Sequence, residues 1–332
     1  MRVSHPRSSP VCIVYCIKPG CTCPCTKKAM HITYKYLLFL VACSGVGAAT
    51  QWYCPQGWPT IEVVILSLGI FLTGIPHGAM DHFVARQQAV SDGKIFRIRQ
   101  FITTYILWIL LYTLVWWLAP GFSLILFLLL SAWHFGETDF KFAGAPGRWK
   151  SVKTLLYGIS LVAWLLLSHA VELQSWIEIL LPAGTSASVA ITRAGYIPPY
   201  LFFIIAAGLL LPVNSKKQHK WLIWLFFSGF LFLCGKMSLL SGFALYFTGW
   251  HGVLAFVDIN NYLPLQGKLL AVWRTSMPLS VLSYVFLLFI YLFTDAGVWQ
   301  NAGLPAIFIL LSVLTLPHVQ VMHRLYRRVE TV

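Results

Sequence analysis

Apolar runs of about twenty residues follow one another along this chain, as in "LWILLYTLVWWLAPGFSLILFLLL" at 107–130. An α-helix rises 1.5 Å per residue, so about twenty such residues cross the hydrocarbon core of a bilayer. In that core every backbone N–H and C=O must be paired internally, which leaves only helices and closed barrels. Barrel strands are shorter and alternate polar with apolar residues; these runs do neither. The sequence therefore predicts an all-α, polytopic transmembrane helix bundle. Charged residues make up only 10% of the 332 and hydrophobic ones 58%, against about 25% charged in soluble domains.

The runs resolve into about ten spans, at 34–53, 61–80, 101–119, 121–138, 153–170, 196–212, 220–234, 238–257, 275–293 and 303–322. Interface-seeking Trp, Tyr and Pro flank them, as in "TQWYCPQGWP" at 50–59 and "RAGYIPPY" at 193–200. The net charge of +14 sits in the short loops, which makes it a topology signal and excludes a nucleic-acid groove. With loops assigned alternately to two sides, and counting from Lys27, nineteen basic residues fall on one side and only Arg193 and Lys236 on the other. The positive-inside rule then puts both termini in the cytoplasm of a multi-pass protein of the cell (inner) membrane. Residues 1–30 read as a Cys-rich tail, or as an upstream extension before Met30, and 31–328 as one transmembrane catalytic domain. Cys12, Cys16, Cys21, Cys23 and Cys25 lack a partner set with zinc-ribbon spacing. Cys43, Cys54 and Cys234 read as packing residues.

Four segments break the apolar pattern: "GIPHGAMDH" at 74–82, "SAWHFGETDF" at 131–140, "FTGWHGVLAFVD" at 247–258 and "LTLPHVQVMHRL" at 314–325. Each puts a histidine late in an even-numbered span: His77, His134, His251 and His318. All even spans run the same way, so the four imidazoles share one depth, about 20–25 Å from the outer start of their helices. A lone membrane histidine commonly makes a helix–helix hydrogen bond worth about 0.6–2 kcal/mol. Four at one depth point further, to a transition-metal site for Fe, Zn or Cu. Asp81 and Glu137 lie four and three residues after His77 and His134, on the same helical faces. With Asp139 they are candidates to orient the imidazoles. His82, five residues after His77, points away unless the helix unwinds after Gly78. Gly78 and Gly136 read as points of close approach.

Together and in this order, these motifs resemble the Brp/Blh family of membrane β-carotene 15,15'-dioxygenases, over roughly residues 60 to 325. The resemblance implies Fe(II) held by histidines, O2 as co-substrate, and cleavage of the central double bond of β-carotene into two retinal. It also implies possible delivery of retinal to a rhodopsin. The family's ligands match His77, His134 and His251, but its further histidine, four residues after the Trp-His one, is here Ala255. Either His318 completes the site or a position stays open. Trp133, Phe135, Trp250 and Phe256 flank the histidines and are candidates to line a polyene path. The residues alone leave three alternatives: a b-type haem protein, a transporter with a histidine relay, and a relative cleaving another carotenoid.

Overall fold

The computed structural model describes residues 24–143, 149–181, 189, 193–212, 218–263, 269–293 and 296–331. Residues 1–23, which hold four of the tail cysteines, lie outside them. The described residues are helical: α1 (Pro24–Tyr53), α2 (Trp58–Gly69), a π-helical turn (Ile70–Gly74), α3 (Ile75–Gly78), α4 (Asp81–Ser91), α5 (Ile98–Leu118), α6 (Pro120–Ala143) and α7 (Lys150–Leu167). Then follow α8 (Ala170–Leu180), α9 (Pro199–Leu209), α10 (Gln218–Cys234), α11 (Leu239–Ala244), a second π segment (Leu245–Gly252), α12 (Val253–Tyr262), α13 (Leu269–Phe293) and α14 (Ala296–Thr331).

Among the described residues, seven helices are long and apolar enough to cross a membrane: Trp58–Ser91, Ile98–Leu118, Pro120–Phe140, Lys150–Leu167, Leu239–Tyr262, Leu269–Phe289 and Ala306–Arg327. The protein is thus a helical, multi-pass type of chain. Pro199–Leu209 and Lys220–Cys234 are apolar but shorter. The sequence reading gave 171–195 no helix, yet α8 forms there. Its apolar residues Leu173, Ile177 and Leu180 recur at helical spacing, Ile177 is buried, and Glu172 sits in the first turn, where a helix favours an acid.

The helices are not equivalent. Leu239–Tyr262 is 67% buried, whereas Ile98–Leu118 and Leu269–Phe289 are 11% and 17% buried. The first runs through the centre; the other two carry the apolar exterior. Around the centre, Leu37, Phe135, Tyr157, Trp164, Phe230 and Trp250 form one core with others. Met80, Ala255, Ile259, Met322 and Tyr326 belong to a second. The tightest crossing is α6 on α7. A Cβ at Gly136 would collide with the Thr154 carbonyl, and one at Gly158 with the Ala132 carbonyl. Glycine alone allows backbones this close. At Gly78, among the described residues, no other helix comes close, and a side chain there would meet nothing of the protein within 4 Å. Cys234 is buried as expected of a packing residue, Cys43 partly so, but Cys54 is exposed.

Candidate functional site

The four histidines singled out in the sequence meet in the interior. His77, His134, His251 and His318 are all buried. Their rings close a four-membered circuit, with centres 5.1 Å apart for His77–His318, 5.1 Å for His318–His134, 4.8 Å for His134–His251 and 5.8 Å for His251–His77. Adjacency, which the sequence left open, is therefore a property of the fold.

Two of the four arrive through π-helical backbone. The Ile70–Gly74 turn directly precedes His77, and His251 lies within Leu245–Gly252. π segments place one residue more per turn and concentrate at functional sites. The two segments are fastened to each other. The Thr73 hydroxyl lies 2.8 Å from the Thr248 carbonyl and 3.0 Å from the Gly69 carbonyl. Gly69 packs on the Thr248 side chain so closely that any larger residue would clash. The Thr73 carbonyl in turn accepts from His77 Nδ1 at 2.9 Å. That bond fixes the tautomer and leaves Nε2 as the basic nitrogen of His77.

The carboxylates do not serve the histidines that spacing assigned them. Asp81 binds His318 Nδ1 at 2.8 and 3.0 Å and accepts from the Tyr105 hydroxyl at 2.9 Å. The expected Asp81–His77 pairing does not form: His77 Nδ1 is already taken by the Thr73 carbonyl one turn back, and Asp81 reaches across to His318 instead. Glu137 pairs with His323, five residues after His318, and the Trp133 ring stands 5.8 Å from that same histidine. Asp139 is 1% exposed and accepts from Tyr157 Oη at 2.6 Å, Tyr246 Oη at 2.8 Å and Trp250 Nε1 at 2.8 Å. It thereby ties α6 and α7 to the segment bearing His251. The ring of His82 lies beside Phe83, and its Nδ1 is 3.1 Å from the Ala79 carbonyl, as a residue turned off the cluster should be.

The flanking aromatics divide. Phe135 stands edge-on to His251 with centres 4.7 Å apart. Trp250, by contrast, packs on Phe227 at 4.6 Å and donates to Asp139, so its contacts are those of a structural residue. Phe256 is buried in the core of Met80, Ala255 and Met322. Phe247, which sequence reasoning missed, stands 6.1 Å from both His77 and His251. Tyr105, Thr73, Tyr157 and Tyr246 were also missed. None sits in a quoted motif, and an isolated hydroxyl in an apolar run carries no signal of its own.

Among the described residues, no group of three or more His, Cys, Asp or Glu side chains is already arranged to hold a metal ion. The donor chemistry nonetheless fits one. Four imidazoles bound at about 2 Å to a tetrahedral ion put neighbouring ring centres about 5 Å apart. The buried Nε2 of His318 has no hydrogen-bond partner, while its Nδ1 is held by Asp81. A buried polar atom left so is costly unless a ligand completes it.

Fold and site together define a polytopic helical protein with a buried, histidine-walled centre inside an apolar bundle. The family model for Beta-carotene 15,15'-dioxygenase matches residues 68–326, and the chain belongs to this family of carotenoid-cleaving enzymes. It is 27% identical over 275 residues to the Beta-carotene 15,15'-dioxygenase of an uncultured marine bacterium (66A03), covering 82% of this chain and 96% of that one. No solved structure matches it.

Proposed function

We propose that the chain cleaves the 15,15' double bond of β-carotene with O2, giving two retinal, at an Fe(II) ion held by His77, His134, His251 and His318. The observation that carries this is the closed circuit of four buried imidazoles, in a chain of this family. The balance is simple: the double bond breaks, and each new aldehyde takes one atom of O2. Iron, when bound, supplies the redox chemistry that lets O2 react with a polyene. The protein's part is to hold nitrogens and exclude water. The Thr73 carbonyl and Asp81 fix His77 and His318 through Nδ1, so each presents Nε2. Asp81 acts as an orienter here, not as an acid or base. His318 fills the role that Ala255, fully buried in an apolar cluster and without a donor atom, cannot. Phe135 and Phe247 form apolar walls against the imidazoles.

On the same reading, residues 31–328 are one catalytic unit of about ten spans in the cell (inner) membrane, with both termini cytoplasmic. The site lies in the cytoplasmic half of the bundle, and retinal passes into the bilayer, where a rhodopsin can take it up. Expression in a host that accumulates β-carotene tests this. Bleaching with retinal in the extract is expected; intact β-carotene beside abundant, iron-loaded protein would sink it. Alanine at each of the four histidines in turn is expected to lower bound iron in the purified protein. Full iron content in His318→Ala would remove His318 from the set. A Soret band would replace non-haem iron with haem.

A further inference from the structure

A crevice opens between the same helices, on the side of the histidines away from Asp81 and Asp139. It is lined by Leu66, Ile70, Leu240, Phe243, Phe308 and Leu311, and leaves free room of only about 10 Å³, within some 240 Å³ of atom-free space that includes the part open to the surface. Its position follows from register. Leu66 and Ile70 stand 11 and 7 residues before His77, Leu240 and Phe243 stand 11 and 8 before His251, and Phe308 and Leu311 stand 10 and 7 before His318. Phe127, 7 residues before His134, has its ring 6.4 Å from Phe308. Three of the four histidine-bearing helices thus line the crevice from one level, and the fourth approaches it through Phe127. At 1.5 Å per residue that level is about 10–17 Å from the imidazoles.

An aromatic file joins the two levels. Phe247 stands 6.1 Å from His77 and from His251, stacks on Phe243 at 5.3 Å, and Phe243 stands 5.4 Å from Phe308. No polar side chain is among the residues lining the crevice. Aromatic faces at this spacing suit a flat conjugated chain.

We infer that one arm of the carotenoid runs from the histidine circuit along Phe247 and seats its terminal ring in this crevice. The inference rests on the function proposed above and adds a location to it. An extended carbon chain gains about 1.2 Å per bond, so the nine or so bonds from the central carbon to the end ring span about 11 Å. That reach ends at the crevice when the central bond lies at the histidines. The free room is smaller than an end ring, so binding requires Phe243 and Phe308 to swing aside.

The test uses the full chain in lipid nanodiscs, with β-carotene and with an apocarotenal whose one arm is trimmed short of its ring. Leu311→Trp fills the crevice at a half-buried position. It is expected to lower kcat/KM for β-carotene at least tenfold, to lower it less than threefold for the trimmed substrate, and to leave bound iron unchanged. Phe308→Ala, which widens the crevice, is expected to raise KM several-fold at unchanged kcat. Equal losses on both substrates, or no loss on either, would overturn the inference. Wild-type protein that cleaves neither substrate would instead defeat the proposed function, so the two failures are told apart.

Discussion

Asp81 and Asp139 are both buried, at 3% and 1% exposure, and both sit in motifs beside a histidine. Their partners differ. Asp81 holds an imidazole, His318, and is itself steadied by Tyr105. Asp139 gathers two phenols and an indole, and so clamps the backbone that carries His251. One aspartate acts on a candidate ligand directly, the other on the frame that delivers one. Proximity in a motif does not distinguish these roles; the donors do. A carboxylate that gathers two phenols and an indole from two other segments is an anchor.

The contrast can be broken experimentally, beginning with the largest effect. Asp139→Ala strands three buried donors, each costing about 1–3 kcal/mol. Thermal unfolding in detergent is expected to show the steepest drop of any single change here. An unmoved midpoint with lost iron would mean that Asp139 acts on the metal after all. Asp81→Ala is expected to weaken iron retention about 10–100-fold against a chelator, with a much smaller loss of thermal stability. If its midpoint falls as far as that of Asp139→Ala, the division of labour fails. Trp250→Phe keeps an aromatic ring but removes one bond to a charged acceptor, about 1.5–3 kcal/mol, and leaves a void where the larger indole was buried. It is expected to lower stability and leave carotenoid KM unchanged; a raised KM would restore Trp250 to the substrate path. Tyr105→Phe should be mildest, because Asp81 keeps His318 as its partner; it is read as a few-fold faster loss of iron with only a small shift in the unfolding midpoint.

The histidines were legible because polar residues in apolar runs are conspicuous, and because even spans run one way. Their shared depth followed from counting. Their contact did not, since nothing in a single chain says which spans are neighbours. The misassigned acids have a common physical cause. Helical spacing says which residues share a side of one helix, not which partner each side chain takes: His77 bonds back to the Thr73 carbonyl, and Asp81 bonds a histidine on another helix. Glu137 keeps its phase within α6 but finds His323 on α14, a long-range pairing that spacing cannot supply. α8 went unread because its apolar stripe is too short to register as a span. The seven long helices were the readable part of the fold, because lipid demands them in sequence; α9 and α10 are shorter than such a span requires.

The π turn before His77 makes chain length itself a working part of the site. Ile70–Gly74 holds one residue more than α-helical geometry would use over the same path. Removing one residue there would let the backbone relax into a regular helix and swing the His77 imidazole about 100° around the axis. Such a deletion would improve the helix and scatter the histidine circuit, the reverse of the usual link between local order and activity.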